Sequence, residues 1–322
     1  MGISLALSLI ALTIAPFSLP PNHSFPVEVA QGNAADLVQQ GITQLNRGDY
    51  PGAIGLFDRA LKLNPKDARA YYQRGLARTT MGEYNKAIQD YTQAVRLDGN
   101  NAEIYYNRGF AYYQAANVTA ALGDFERALK LNPSYAEAYA ARGILRHYAD
   151  NPKAALEDLN RAIQLNPNLG EAYYHRAMVR QRAKDIQGAI ADYTEAMRIT
   201  PEDLSLYFAR GMAFHQAREF QKAITDYNRV LKTDSQGASV YNQRGRSRFE
   251  LGDTSGAIQD YNQAIKLSSG LADAYYNRGI AHQKLGKKRE ALADYQTAIK
   301  LFSRMADRDM VRRIQTQMNQ LR

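Results

Sequence analysis

Small and aromatic residues recur along most of the chain at a fixed spacing of 34 residues. Eight units of this length, with starts at residues 34, 68, 102, 136, 170, 204, 238 and 272, extend over residues 34–305 without an insertion. When each unit is numbered from 1, position 20 is Ala in all eight units and position 24 is always Phe, Tyr or Leu. Position 8 is always small, namely Gly41, Gly75, Gly109, Gly143, Ala177, Gly211, Gly245 and Gly279. The chain is therefore an internal repeat array, not a sequence of unrelated domains.

The spacing of these positions within one unit predicts two short helices. Positions 4, 8 and 11 form one helical stripe, and positions 20, 24 and 27 form a second. Asp or Asn stands at position 16 in most units, which suits the start of the second helix. Pro stands at position 32 in four units, beyond the end of that helix. The pattern therefore predicts an all-α chain, in which the small residues let two helices approach and the aromatic residues fill the space between them.

These positions resemble the tetratricopeptide repeat (TPR) family. The family pattern has an aromatic residue at position 4, Gly or Ala at 8, Ala at 20, an aromatic residue at 24, Ala at 27 and Pro at 32. All eight units match it at positions 8 and 20, and the exceptions elsewhere are Leu37 at position 4, Leu159 at 24, Val230 at 27 and the four units without Pro at 32. The resemblance implies a right-handed α-solenoid of helix-turn-helix TPR units. It also implies that the first helices line a concave groove that binds a peptide or protein segment.

One departure from the family pattern predicts a set of ion pairs. Position 7, which is Leu in the family, is Arg in the second to eighth units, and in the same seven units position 23 is Asp. The first unit has Gln40 and Leu56 at these positions, so both partners are missing together. We expect an Arg–Asp bridge between the two helices of each of the seven units, because an unpaired buried charge is costly. The alternative is a row of arginines that binds an anionic ligand.

Residues 1–30 form a separate segment. An apolar run from Ile3 to Ala15 is typical of the central region of a secretory signal, although no Lys or Arg precedes it. Four prolines between Pro16 and Pro26 then favour an extended linker. The segment is expected to be a signal peptide or a membrane anchor, which places the protein in a periplasm or lumen or on a membrane. A mis-assigned start codon, with a cytoplasmic protein, is the alternative.

The last segment, residues 306–322, is predicted to be a capping helix. Met310, Ile314, Met318 and Leu321 have helical spacing. Repeat arrays need such a helix to cover the apolar side of their last unit. A helix that lies on a membrane surface is the alternative.

Composition and charge leave the prediction of a globular repeat protein unchanged. Hydrophobic residues make up 45% and charged residues 23% of the chain, and Cys is absent, which excludes disulfides and Cys nucleophiles. The 41 Lys and Arg exceed the 32 Asp and Glu, so the formal net charge is +9. Much of this excess positive charge falls at position 29 and in the C-terminal segment. At position 29 the cation lies near the end of a helix, where the helix dipole favours it. Nucleic acid is therefore an unlikely partner, although a helical-repeat protein that uses its basic surface to bind nucleic acid is the alternative function.

The resemblance places positions 2, 5, 6, 9, 12 and 13 on the groove. Aromatic and amide side chains at these positions could contact the side chains and the backbone of a bound peptide. The alternative is that the residues at position 9 and many of those at position 5 pack against the neighbouring unit. The seventh unit has the most polar inner face and is expected to be the most selective; the alternative is that it has drifted from the repeat pattern without a specific role. The candidate groove residues are Tyr72, Gln73, Tyr106, Asn107, Tyr174, His175, Asn242, Gln243, Arg246, Tyr276 and Asn277.

The sequence contains no motif for catalysis, cofactor binding or metal binding. No phosphate-binding loop, dinucleotide-binding motif or zinc-protease motif is present, and the five histidines are dispersed. We therefore expect a non-catalytic scaffold or adaptor that has no cofactor or small-molecule substrate and binds a protein or peptide in its groove. A subunit of a membrane-associated assembly, which would use the same groove, is a further alternative.

Overall fold

The computed structural model describes residues 32–321, which form seventeen α-helices and no strand. The predicted signal or anchor segment, residues 1–30, lies outside the described residues. No helix within residues 32–321 combines the length and the apolar character needed to cross a membrane. The prediction of an all-α fold built from successive helix pairs is confirmed.

The described chain divides into two compact units, the first ending at Pro167 and the second beginning at Asn168. The first unit contains four helix pairs, made by α1 (Gly32–Asn46) with α2 (Tyr50–Leu63), α3 (Ala68–Thr80) with α4 (Tyr84–Leu97), α5 (Ala102–Gln114) with α6 (Val118–Leu131), and α7 (Ala136–Tyr148) with α8 (Pro152–Leu165). Within it, each helix packs against the next along the chain.

The second compact unit contains four further pairs and one final helix. The pairs are α9 (Gly170–Arg182) with α10 (Ile186–Ile199), α11 (Leu204–Gln216) with α12 (Phe220–Thr233), α13 (Ala238–Glu250) with α14 (Thr254–Leu267), and α15 (Ala272–Lys284) with α16 (Lys288–Arg304). The final helix is α17 (Arg308–Leu321), which packs against α16 and buries Ile314 and Met318. It covers the last pair, as the sequence predicts for a capping helix.

The core of each pair is made by the repeated small and aromatic positions. The aromatic ring at position 24 is fully enclosed, as in Tyr91 and Tyr227, and its edge lies directly against the small residue at position 8 of the first helix. A Cβ atom placed on Gly75 would lie 2.6 Å from Cε1 of Tyr91. Because this separation is shorter than carbon contacts allow, the glycine sets how closely the two helices pack.

The helix ends follow the capping residues at position 16. Asp49, Asn117, Asn151, Asp185 and Asp253 each accept a hydrogen bond from a backbone N–H in the first turn of the second helix. Glu83 and Glu219 occupy the same position and make no such bond. The shorter side chains therefore cap the backbone, whereas glutamate does not, in line with their known preferences.

Candidate partner-binding surface

All eleven candidate groove residues lie on first helices, namely α3, α5, α9, α13 and α15. The surface formed by positions 2, 5, 6, 9, 12 and 13 of the first helices is called the first-helix face below. Five of the eleven side chains are buried, with exposed fractions from 1% to 6%: Tyr72, Asn107, His175, Asn242 and Tyr276. Because such enclosed side chains cannot contact a docked partner directly, these five serve to pack the first-helix face. Arg246 is exposed, and Gln73, Tyr106, Tyr174, Gln243 and Asn277 are partly exposed.

Several of these polar side chains join successive first helices. Asn107 Nδ2 donates a hydrogen bond to Tyr72 Oη over 3.0 Å, and thus links α5 to α3. Asn277 Nδ2 donates to Asn242 Oδ1 over 3.0 Å, which links α15 to α13 in the same way. A residue at position 6 therefore reaches position 5 of the preceding unit. These contacts hold neighbouring first helices side by side, which keeps the partly exposed residues in register.

Further links are made by residues near the ends of the first helices. Gln181 Nε2 donates to Gln216 Oε1 over 2.6 Å, and His215 Nδ1 lies 2.9 Å from Ser247 Oγ. Burial, and then the nearby charge of Arg246, lower the pKa of His215. The lowered pKa favours the neutral form of the imidazole. The ring therefore contributes to packing between first helices and does not offer a positive charge.

The seventh helix pair, predicted to be the most selective, presents a mixed polar surface. Arg246 Nη1 donates to Gln243 Oε1 over 2.8 Å, which fixes the guanidinium along α13. Lys284 Nζ of the next pair lies 4.5 Å from the centroid of the Phe249 ring. Glu250 is exposed on the same helix. This part of the first-helix face therefore offers an amide, two cations and a carboxylate.

The predicted Arg–Asp bridges are present in all seven units. In each, Nε and Nη2 of the arginine lie 2.6–3.2 Å from the two carboxylate oxygens of one aspartate: Arg74–Asp90, Arg108–Asp124, Arg142–Asp158, Arg176–Asp192, Arg210–Asp226, Arg244–Asp260 and Arg278–Asp294. The aspartates are 2–7% exposed. Two parallel charge-assisted bonds are the strong form of this interaction. The bridges therefore belong to the packing of each pair and not to an anion-binding row.

The arginines also make contacts that the sequence did not reveal. The third nitrogen, Nη1, reaches position 25 of the preceding pair, for example Asp58 from Arg74 at 2.6 Å and Asn228 from Arg244 at 2.7 Å. In six of the seven units the guanidinium also lies 5.3–5.6 Å from the centroid of the ring at position 4. Each guanidinium thus joins two helices of its own pair and, in several pairs, the neighbouring pair as well. The side chains at position 25 are all polar but differ in type from unit to unit. The sequence therefore shows no repeated residue that would predict these contacts between pairs.

No group of three or more His, Asp or Glu side chains within residues 32–321 is arranged to hold a metal ion. His147 is 7% exposed and its ring centroid lies 5.3 Å from that of Tyr148. The acidic residues with the lowest exposure are the seven bridge aspartates.

Comparison with family models identifies the protein family of this helical repeat. The model described as TPR repeat matches residues 45–82, 77–115 and 245–286, and two models described as tetratricopeptide repeat match 102–135, 272–304 and 174–238. The chain belongs to the tetratricopeptide repeat family. TPR proteins are generally non-catalytic scaffolds that bind other proteins. No curated protein sequence matches the chain significantly.

Among solved structures, the chain is similar to other TPR proteins. A tetratricopeptide repeat protein from Parabacteroides merdae is 20% identical, with a TM-score of 0.56 over 78% of this chain and 99% of that one. Pseudomonas aeruginosa pilF is 18% identical, with a TM-score of 0.58 over 63% of this chain and 92% of that one. The Cut9–Hcn1 hetero-tetramer of the APC/C contains a chain that is 17% identical, with a TM-score of 0.56 over 86% and 55%. At these identities the similarity shows that the TPR fold is shared.

Proposed function

We propose that this TPR protein is a non-catalytic scaffold or adaptor that binds a peptide or protein segment along its first-helix face. The observation that carries the proposal is the row of partly exposed amide, aromatic and basic side chains on that face, held in register by hydrogen bonds between successive first helices. A surface that is ordered before binding loses less conformational entropy when a partner docks. In this proposal the partly exposed and exposed residues of the first-helix face contact the partner, and its five buried residues support them by packing.

The exposed side chains suit an extended segment. The amides of Gln73, Gln243 and Asn277 each carry donors and an acceptor, so they can pair with the backbone of a bound chain. The rings of Tyr106 and Tyr174 are partly exposed and supply apolar area at a small entropic cost. Arg246 adds a positive charge on α13. Amides therefore hold the backbone, and the rings and the charge select side chains.

Site-specific photo-crosslinking tests the proposal. A photoreactive residue is placed at Gln73 or Gln243 on the first-helix face, and at Gln89 or Gln259 as matched controls. Both control residues are exposed and occupy position 22 of a second helix. A protein partner that is crosslinked from the first two positions and not from the controls supports the proposal. Crosslinking only from the second helices would place the partner on a different surface.

Nucleic-acid binding is a second candidate because seven second helices end in an exposed cation at position 29: Lys62, Arg96, Lys130, Arg198, Lys232, Lys266 and Lys300. Binding through phosphates would weaken steeply with salt, with a slope close to the number of phosphates neutralised. Binding of a peptide to the first-helix face should depend less on salt. An electrophoretic mobility titration at two salt concentrations, using a random-sequence duplex, separates the two functions.

Export remains part of the proposal, since residues 1–30 have the apolar run of a signal peptide or membrane anchor. The partner would then lie in the periplasm or lumen, or in a membrane-associated assembly. Fractionation of the expressed protein followed by sequencing of its mature amino terminus tests this point. An intact cytosolic protein that starts at Met1 would contradict it.

A further inference from the structure

An open cleft lies at the C-terminal end of the array, between the last turn of α16 and the first two turns of α17. Its volume is about 630 Å³, and it is lined by Ser303, Ala306, Arg308, Val311 and Arg312. The last three of these residues are three and four positions apart from Arg308, so they share one face of α17. We call the five residues the terminal cleft.

The backbone that forms the cleft is fixed by hydrogen bonds and by packing. In the turn between α16 and α17, Ala306 N–H donates to Ser303 O over 3.1 Å, and Asp307 N–H donates to Phe302 O over 3.0 Å. Ile314 of α17 packs with Phe302 in the same hydrophobic core. The apolar side of α17 is therefore covered by the protein, and the face that carries the arginines is left to solvent. A cleft that is ordered in advance binds a ligand at a lower entropic cost.

The cleft carries positive charge that the chain does not neutralise. Residues 303–313 contain four arginines and two aspartates, which is an excess of two positive charges. Arg308 is exposed and forms no ion pair within residues 32–321. Arg312 pairs with Asp309 over 2.7 Å, but these side chains are 75% and 91% exposed, so solvent weakens the pair. Both guanidinium groups can therefore reach an anion, unlike the bridge arginines, which are held by buried carboxylates.

Apolar side chains accompany these cations. Met305, next to Ala306 in the turn, is 58% exposed, more than any other large hydrophobic residue that the structure describes. Val311 lines the cleft itself and is partly exposed. An anionic phospholipid complements both features, because its phosphate group lies directly above its acyl chains. A nucleic acid or a free phosphate ion would pair with the arginines and leave Met305 in water.

We infer that the terminal cleft docks on an anionic membrane surface and binds the phosphate group of a phospholipid. Arg308 and Arg312 donate charge-assisted hydrogen bonds to the phosphate oxygens, and the Ser303 hydroxyl supplies one further donor. Met305 enters the boundary between the headgroups and the acyl chains. None of these residues belongs to the first-helix face, so the inference does not depend on the proposed function.

Vesicle flotation tests the inference with the purified full-length protein. Vesicles of phosphatidylcholine alone are compared with vesicles of phosphatidylcholine and phosphatidylglycerol in equal amounts. The affinity for the mixed vesicles should be about twentyfold higher, because each of two cations at the surface contributes about fivefold. High salt should remove this difference by screening. Residues 1–30 are present in both samples, so insertion of that segment does not account for a dependence on lipid charge.

Matched variants assign the charge-dependent binding to the cleft. Arg308→Gln and Arg312→Gln should each weaken binding to the mixed vesicles about fivefold, and the double variant about twentyfold. Met305→Ser should weaken it about threefold, because the apolar contact is lost. The control is Lys130→Gln combined with Lys232→Gln, since both lysines are exposed on second helices and the change in net charge is the same. The control should change the affinity less than about twofold.

One further variant is expected to bind more tightly, so the test does not depend on losses alone. Asp309→Asn releases Arg312 from its ion pair and removes a negative charge beside the cleft. It should strengthen binding to the mixed vesicles about twofold to fivefold. Melting curves verify that every variant folds, and a folded Asp309→Asn with unchanged affinity would count against the inference.

The remaining outcomes name what would overturn the inference. Equal binding to the two kinds of vesicle, or an equal loss in the double arginine variant and in the lysine control, would remove the membrane from the account. Release of the protein from the mixed vesicles by inorganic phosphate at constant ionic strength would assign the cleft to a free phosphate ion instead. A duplex DNA that binds the protein and loses affinity only in the double arginine variant would assign it to nucleic acid. In each case, peptide binding by the first-helix face is unaffected.

Discussion

At the scale of single residues, a bridge arginine is enclosed by three different interactions. Arg244 has Nε and Nη2 on Asp260, Nη1 on Asn228 and its guanidinium 5.3 Å from the centroid of the Tyr241 ring. Asp260 is 3% exposed, and its Oδ2 atom also forms an ion pair with Arg248 Nη1 at 3.1 Å. Such a charge is stable only because its partners are in place, since removal of one partner leaves the other buried and unpaired.

The pair Arg108–Asp124 gives the cleanest test of this point. Position 11 of its unit is Tyr112, so within residues 32–321 Asp124 is paired with Arg108 alone, whereas Asp158 is paired with both Arg142 and Arg146. We expect Arg108→Ala to lower the free energy of unfolding by about 3–5 kcal/mol. Arg142→Ala should cost less, because Arg146 still neutralises Asp158. Urea denaturation followed by circular dichroism measures both losses.

The double variant Arg108→Ala with Asp124→Ala should be more stable than Arg108→Ala alone, because it removes the unpaired carboxylate. Strictly additive losses from the two single variants would refute the pairing.

Two glycines of the same helix pair are predicted to respond in opposite ways to substitution by alanine. A Cβ on Gly109 would lie 2.9 Å from Cε1 of Phe125, while a Cβ on Gly123 meets nothing within 4 Å. Gly109→Ala should destabilise the protein by about 1–3 kcal/mol through overpacking. Gly123→Ala should stabilise it by about 0.5–1 kcal/mol, because alanine loses less entropy in a helix. Thermal melts of both variants would contradict the packing account if the shifts had the same sign.

At the scale of helices, the turn within each pair requires a left-handed residue at position 15. Gly48, Gly82, Gly252 and Gly286 occupy it in four pairs with positive φ. The other four pairs have Ala116, Asp150, Lys184 and Arg218 there, with φ between 59° and 67°. A side chain in this conformation costs energy that glycine does not. The turns of the first two and the last two pairs along the chain are therefore less strained than those of the four pairs between them.

Lys184→Gly and Arg218→Gly are consequently expected to stabilise the protein, by about 0.5–1 kcal/mol each, since relief of strain exceeds the entropy that glycine loses on folding. Asp150→Gly should gain less because Asp tolerates this conformation better. Differential scanning calorimetry of the three variants measures the shifts. A decrease in melting temperature for Lys184→Gly would show that its side chain makes a contact worth more than the strain.

At the scale of the whole molecule, a fixed 34-residue spacing was enough to predict the helix pairs and the Arg–Asp bridges. Each rests on residues a constant distance apart, so one unit informs the next. The burial of Tyr72, Asn107 and His175 could not be predicted in this way. The position of a side chain on its own helix does not show how much of that side chain the next first helix covers.

The central claim is that the first-helix face is the partner-binding surface. Its most direct test is the affinity of the crosslinked partner for four glutamine-to-alanine variants, measured by isothermal titration calorimetry. Gln73→Ala and Gln243→Ala remove partly exposed amides from the first helices, and Gln89→Ala and Gln259→Ala remove exposed amides from the second helices. Loss of one amide contact should weaken binding about fivefold to tenfold in the first two variants and leave it unchanged in the others. Equal affinities in all four variants, or a loss confined to Gln89→Ala and Gln259→Ala, would contradict the account.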